Sequence, residues 1–575
     1  MHPAEPQPER TPAAVWTAVA LLLLLQAGLL LRTAWDKSDT ADEAHYLAVS
    51  ILQWRGNLSS NCESPALPKW GFALALRLVD GELVGDTTAK GRDPLWSRAL
   101  PQTRRNLLAG RSATVAVTLL AGLLLFLSGR RLDGQGVGLL ALALWVLSPS
   151  VLANGSLATL DGWAAAAVAL CAWLGLRLHE RPSLGRALAL GLALGLGAAC
   201  KVTLLGLVPV ALLVLALARR RAVPAGWWRP AARDAAVVGL GLLLSLWAVY
   251  GFRLDLLDTA SLCGKEVEGA AHSALGPLPF TPWLEGLLKQ LQHGRQGHYG
   301  YLFGRAGTTG WWWFFLAALA LKTTLGAQLL ALLRLSAWLR RRPSPARLLT
   351  DLLLLAYPLL LLVVMSAGRT QLGLKYILPA FPLGLLALAR VLPDVAAAFG
   401  GAGRGLVLAL LALGAAESLR VHPHHLMFFN LWAGGPEGGP RYLVVGDDWG
   451  QDQRRLAEWQ RENRPWRLYY TFYSGNPRHW GVSFEKPPCA PKIGFYALQA
   501  VEVHRPKRIG RGCLDWLTVE PPDARLGYSI YLYAVSKERI RRLAAERDRG
   551  RPFWSSATPP TGEPSPDAPD DGSEP

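Results

Sequence analysis

The chain has 575 residues, 51% of them hydrophobic, and a mean hydropathy of +0.21. Repeated Leu, Ala, Gly and Val runs of membrane-spanning length exclude an ordinary soluble globular class. Lys and Arg outnumber Asp and Glu by 60 to 42, a net charge of +18, and the excess gathers between apolar runs at Arg130-Arg131, Arg219-Arg220-Arg221 and Arg340-Arg341-Arg342; such clusters are cytoplasmic anchors, not a nucleic-acid surface.

Taken in order, the chain begins with a short cytoplasmic tail, 1–12, followed by an apolar run at 13–31. Only Arg10 precedes that run as a clear positive charge, and no small-residue cleavage site follows it, so it reads as a retained signal anchor. Hydropathy then predicts about eleven spans in all, near 13–31, 107–128, 135–152, 158–178, 186–200, 203–218, 235–252, 311–333, 348–366, 372–390 and 404–420. Placing the arginine clusters inside exports the loops 32–106, 253–310 and 367–371, and everything after residue 420. The predicted fold is mostly α: a polytopic transmembrane helical bundle over 13–420, with a small exported α+β domain over 421–551 and a disordered tail over 552–575. A plasma (inner) membrane protein with an exported, periplasmic C-terminal domain follows from that topology.

Lys201 interrupts the apolar stretch 186–218, which is better explained by two short helices meeting at the exported face than by one long helix. Arg369 and Lys375 fall at the same depth, between spans nine and ten. Span eight opens on Trp311-Trp312-Trp313-Phe314-Phe315, an aromatic interfacial belt, and leaves Lys322 about halfway across. Two readings of Lys322 stand side by side, a lysine pairing inside the bundle and a direct substrate contact. Beyond residue 420 a strand is expected at Tyr442 to Val445, an amphipathic helix over 450–463, and strands near Leu468 to Tyr473 and Tyr528 to Val535.

The stretch that invites chemistry is Asp42-Glu43-Ala44-His45-Tyr46, with Ser64-Pro65-Ala66-Leu67-Pro68-Lys69 shortly after it. Carboxylates so close to a span are expensive unless they are used. Asp42 or Glu43 can act as a base, because partial desolvation raises a carboxylate's pKa toward a useful value. The plainer reading is a first helical turn whose acids favour the helix dipole. Asp161, at the exported entrance of span four, is the second candidate, against a plain first-turn acid with Thr159 as its cap. Lys69, Lys201, Arg369 and Lys375 can counter a departing phosphate.

His422, His424 and His425 form a weak metal signal without a companion ligand pair. Asp448 followed by Gln451 reads as a capping box for the helix after it. No cofactor is expected; a divalent metal stays open as an alternative that these residues do not support. Cys62, Cys263, Cys489 and Cys513 are exported and permit three disulfide connectivities, with free thiols as the alternative; Cys171 and Cys200 are core residues.

Together these motifs resemble the polyprenyl-phosphate-dependent glycosyltransferases of the GT-C fold, in particular bacterial relatives of the dolichyl-phosphate-mannose protein mannosyltransferases and of the aminoarabinose lipid A transferase. Asp42-Glu43 is similar to the family's Asp-Glu motif and Pro65-Ala66-Leu67-Pro68-Lys69 to its Pro-Pro-Leu-x-Lys. Ser148-Pro149 through Asp161 and Lys375-Tyr376-Ile377-Leu378-Pro379 look like its span junctions, and Asp448-Trp449-Gly450-Gln451-Asp452 like the tail of a bacterial subgroup. The resemblance implies Asp42 as base, Glu43 and Asp161 as support, and Lys69 on the donor phosphate, with His45 among the substrate-binding residues. It also implies inversion by direct displacement. Ala66 departs from the pattern, which is expected to loosen the turn presenting Lys69. The implied partners are a polyprenyl-phosphate sugar donor, membrane lipid and an unknown acceptor, with no nucleic acid. The competing class is a transporter or lipid flippase, which paired repeats and charges near the midplane of both halves would mark.

Overall fold

In a computed structural model of the chain, residues 12–80, 99–258, 261–263, 265–266, 274–504 and 512–548 are described. The expected disordered tail, 552–575, lies outside them. The eleven apolar runs are all helical, because in a bilayer only a helix satisfies every backbone polar group within one segment. They are α1 (Ala13–Asp36), α4 (Leu100–Asp133), α5 (Gln135–Val146) with α6 (Pro149–Gly155), α7 (Leu160–Glu180), α8 (Leu184–Ala198), α9 (Leu207–Ala222), α10 (Trp228–Val249), α12 (Phe314–Lys322) with α13 (Leu325–Arg340), α14 (Pro345–Ala367), α15 (Phe381–Ala389) and α16 (Val391–Arg420). Among the described residues, α2 (Ala41–Trp54) and α3 (Ala66–Asp80) lie in the loop after α1, and α11 (Thr281–Gln296) in the loop after α10.

Among the described residues, seven helical segments are each long and apolar enough to cross a membrane, and up to nine if each bent pair counts as one span. The difference from eleven straight spans has three sources: two spans are bent pairs, α8 is short, and the runs 372–390 and 404–420 form one continuous helical segment, Leu374–Arg420. α5 and α6 meet at 61°, and α12 and α13 at 107°, where Thr323 and Thr324 break the run directly after Lys322. α8 is a shorter apolar helix, and the expected break at Lys201 is present: α8 stops at Ala198, and a 3₁₀ turn, Val202–Gly206, leads into α9. The aromatic belt is only partly one, since Trp312 is exposed while Phe314 and Phe315 are fully buried in the bundle.

α4 has 34 residues, about 51 Å, and so reaches from one end of the bundle to the other. At its C-terminal end Asp133 enters a closed ring of alternating charge. Arg347 and Arg390 bond Asp133 (2.8 and 2.6 Å), Arg390 and Arg334 bond Asp351 (2.6 and 2.7 Å), and Arg334 and Arg347 bond Asp394 (2.7 and 2.5 Å). The ring ties α4, α13, α14 and α16 together.

The C-terminal domain is α+β as expected, around α17 (Gln453–Asn463) and a four-stranded mixed sheet of β3 (Leu468–Thr471), β4 (Gly494–Gln499), β5 (Ala524–Leu526) and β6 (Ile530–Val535), in the order β3-β4-β6-β5. The first pair is parallel and the others antiparallel; β1 (Leu254–Asp258) and β2 (Ala274–Pro279) form a separate hairpin-like pair before α11. The aromatic runs became β3 and β6, but Tyr442 to Val445 is not a strand. Leu443 and Val444 are buried there in irregular backbone, held by packing and not by a ladder. A Cys489–Cys513 disulfide closes this domain, and Cys62–Cys263 joins the loop before α3 to the one before α11. The expected free Cys171 and Cys200 are buried.

Candidate active site

The site is built at the end of α4 opposite the charge ring, where α2, α3, the start of α7, the Lys201 break and the segment before α15 meet. Thr40 caps α2, and Glu43 completes a capping box by accepting from the Thr40 backbone N–H at 2.9 Å. Glu43 does more than cap. Both its oxygens accept from Arg111 at 2.7 Å, and Oε1 also accepts from the Ala158 N–H at 2.8 Å. Arg111 spends its remaining donors on the carbonyls of Ala34, Lys37 and Ser38. Both side chains are wholly buried. Glu43 is therefore saturated with donors, which corrects its place beside Asp42 as a candidate base; its geometry is that of a strut fixing the α1–α2 corner.

One residue earlier, Asp42 points the other way and is part-exposed, with Lys375 Nζ 2.9 Å from its Oδ2. Asp161 pairs with Lys201 at 2.7 Å. The Thr159 hydroxyl makes no cap bond, so the first-turn capping reading of Asp161 gives way to this ion pair. The two pairs converge on Tyr376, whose ring has Lys201 Nζ 5.1 Å and Lys375 Nζ 5.9 Å from its centroid, with Asp42, Asp161 and Glu63 within electrostatic reach. Tyr46 faces the same acids, and burial together with Asp42 raises its hydroxyl well above the usual tyrosine range.

Lys69 lies on the first turn of α3, fully buried, its ammonium donating to the Asn61 carbonyl at 3.0 Å. Burial pushes it down to about 7, against the opposing pull of Glu63. Asn61, in a left-handed conformation (φ 50°), also meets the His45 ring and precedes the Cys62–Cys263 bridge. Ala66 does not loosen this turn. Its N–H, which a proline lacks, donates to the Tyr250 hydroxyl at 3.2 Å, while Leu67 N–H reaches the Ala199 carbonyl. Arg369 stands apart from the other cations: its side chain is exposed, and its carbonyl accepts from His298. An apolar groove of about 670 Å³ is lined by Leu67, Trp70, Leu196, Leu244 and Val249, so that it shares α3 with Lys69.

The C-terminal domain closes one side. Lys322 pairs with Asp447 at 2.8 Å and donates to the Leu426 carbonyl, which settles its two readings in favour of pairing. Lys37 sits 2.5 Å from both Asp452 and His424. Asp36, His424 and Asp452 lie close enough together for metal ligation, but the Lys37 ammonium stands among them, and His422 and His425 face one another elsewhere. The Asp448–Gln451 capping box is not made. Asp448 accepts from the Val501 N–H, Gln451 bonds Trp449 and Asp447, and α17 starts only at Gln453. Burial raises Asp447 to about 6 and Asp448 to about 8. Arg111, Tyr376 and Trp449 are the site residues that sequence reasoning missed; an arginine inside a predicted span was the readable signal for the first.

The architecture is that of the GT-C glycosyltransferases. The Pmt1-Pmt2 protein O-mannosyltransferase complex of S. cerevisiae, solved bound to the sugar donor, superposes with a TM-score of 0.50 at 12% identity, covering 83% of this chain and 96% of that one. Within that class, residues 103–247 match the family described as dolichyl-phosphate-mannose-protein mannosyltransferase. The matched stretch holds Arg111, Asp161 and Lys201 and leaves out Asp42, Lys69 and Lys375. ArnT from Cupriavidus metallidurans, solved with undecaprenyl phosphate, is 14% identical with a TM-score of 0.46, covering 92% of this chain and 99% of its own. No curated protein sequence matches the chain. The resemblance read from the motifs is borne out in fold and in that domain.

Proposed function

We propose that the chain moves a sugar from a polyprenyl-phosphate donor to an acceptor on the exported face, inverting the anomeric carbon by direct displacement. The observation that carries this reading is the convergence of the Asp42–Lys375 and Asp161–Lys201 pairs on Tyr376. One carboxylate there is accessible, and the cations beside it are held but not buried in charge-neutral packing. The fold shared with a sugar-donor-bound protein O-mannosyltransferase supports the donor class.

In this mechanism Asp42 takes the proton from the acceptor's nucleophile as that atom attacks the anomeric carbon and the phosphate leaves with the bonding electrons. Lys375 pairs with Asp42 and orients it before the donor binds. Lys69 and Lys201 meet the phosphate oxygens, whose charge grows as the glycosidic bond breaks. The apolar groove flanked by Leu67 and Trp70 of α3 takes the prenyl chain, because its lining is almost entirely aliphatic and aromatic. Glu43 acts only through the backbone it holds. No step needs a metal, and Lys37 already fills the space among Asp36, His424 and Asp452.

The test is to incubate the purified protein in lipid with radiolabelled polyprenyl-phosphate sugars and follow loss of label from the lipid. Consumption of one donor, abolished by Asp42→Asn, is the expected result. No consumption of any donor, with transbilayer movement of the lipid instead, would establish a flippase.

A further inference from the structure

Lys375 has a second neighbour besides Asp42. Its Nζ lies 3.5 Å from the centroid of the Trp449 ring, well inside the distance of about 6 Å at which a cation is drawn to an aromatic face. Trp449 is almost fully buried and fixed on all sides. Its N–H donates to Gln451 Oε1 at 2.7 Å, its carbonyl accepts from the Ala41 N–H at 3.1 Å, and its ring packs with Ala153, Leu157 and Leu426. The Ala41 bond fixes it relative to Asp42, one residue on.

The other side of the contact is equally determined. Gly373 and Gly446 both have positive φ (85° and 89°) and meet backbone to backbone: a Cβ on Gly446 would fall 2.2 Å from the Leu372 carbonyl oxygen. That approach is open only to glycine, and it presses the segment carrying Lys375 onto the segment carrying Trp449. Ser38 adds bonds to the carbonyls of Gly450 and Gln451.

We propose that Trp449 is a positioning residue for sugar transfer, holding the Lys375 ammonium beside Asp42, so that the C-terminal domain supplies one wall of the active site. This rests on the reading of Asp42 and Lys375 given above. An aromatic face suits the task better than a second carboxylate. It restrains the cation without neutralising it, and so leaves its charge to Asp42.

Trp449→Leu, Trp449→Phe, Lys375→Met and the Trp449→Leu/Lys375→Met double variant are compared with Asp42→Asn in the full chain, reading donor KM, kcat and thermal midpoint. The expected result is a fall in kcat/KM per folded enzyme of roughly tenfold for Trp449→Leu, beside a lowered midpoint from the cavity that the lost ring leaves. Trp449→Phe, which keeps an aromatic face, recovers most of it. The double variant is no worse than Lys375→Met alone, because Trp449 then has nothing to hold. Losses that multiply in the double variant, or full activity of Trp449→Leu while Asp42→Asn is inactive, overturn the role of Trp449 alone. Full activity of Asp42→Asn overturns the reading beneath it.

Discussion

Arg111 and Glu43 lie side by side in the interior, two parallel 2.7 Å bonds joining guanidinium to carboxylate, and the arginine's other donors close on three carbonyls at the α1–α2 corner. Removing one partner of such a buried pair leaves an unpaired charge. Glu43→Gln is therefore expected to cost about 3–5 kcal/mol of stability, read as a large drop in thermal midpoint and in yield of folded protein. Activity should fall only in proportion to the folded fraction. A stable Glu43→Gln protein with no turnover would instead return Glu43 to the chemistry.

Asp42 gives the opposite pattern. It is part-exposed and its neighbours do not depend on it for burial, so Asp42→Asn keeps the shape and loses the base. The expected outcome is a fall in kcat of about 10²–10⁴-fold, the usual contribution of general base catalysis, at an unchanged thermal midpoint. Adjacent carboxylates thus separate cleanly, one by stability and one by rate.

Lys69 makes the reaction pH-dependent. Burial lowers it to about 7 in the free protein, so its ammonium is present below that pH and lost above it. Since kcat/KM reports the free enzyme, kcat/KM for the donor should fall as pH rises through about 7. Lys69→Arg, charged at every accessible pH, should remove that limb. The sign for stability is reversed: the unfolded chain binds the extra proton between about 7 and the ordinary lysine value, so stability contributed through Lys69 rises with pH across that window. Thermal midpoints measured from pH 6 to 10 in wild type and Lys69→Met check this.

Much of this arrangement was readable from the sequence because membrane insertion makes charge placement informative. The break at Lys201, the shared depth of Lys201, Lys375 and the Asp42 loop, and the aromatic runs that became β3 and β6 all follow from apolar run length and the cost of charge near lipid. Partnership was not readable. Glu43 and Asp42 are neighbours in sequence, and only the fold shows that a helical turn aims one at Arg111 and the other at Lys375. Lys322 found Asp447, and Lys375 found Trp449, across long stretches of chain that no local period connects. The false capping box at Asp448 has the same origin: a local pattern was available, but burial against Val501 and Trp449 took its members for other bonds.

The cysteines give a direct chemical check of the fold. Mapping of the non-reduced protein should recover Cys62 joined to Cys263 and Cys489 to Cys513, with Cys171 and Cys200 alkylated only after unfolding. Because the first bridge follows Asn61, whose carbonyl holds Lys69, reduction is expected to raise donor KM more than it lowers kcat.

The ring of Arg334, Asp351, Arg390, Asp133, Arg347 and Asp394 is expected to act on stability and not on chemistry. Measured along α4, Arg111 and Asp133 are separated by about 33 Å, too far for a direct effect on Asp42. Within the ring every charge has two opposite neighbours, so the cost of desolvation is met only while the circuit is closed. Asp351→Asn leaves Arg334 and Arg390 sharing too little negative charge in a nearly dry setting. Its thermal midpoint should drop by the equivalent of about 3–5 kcal/mol, with little change between low and high salt because the pair is shielded from solvent ions. The fraction that remains folded should retain its donor KM. A shifted KM in folded protein would mean that the two ends of α4 are coupled.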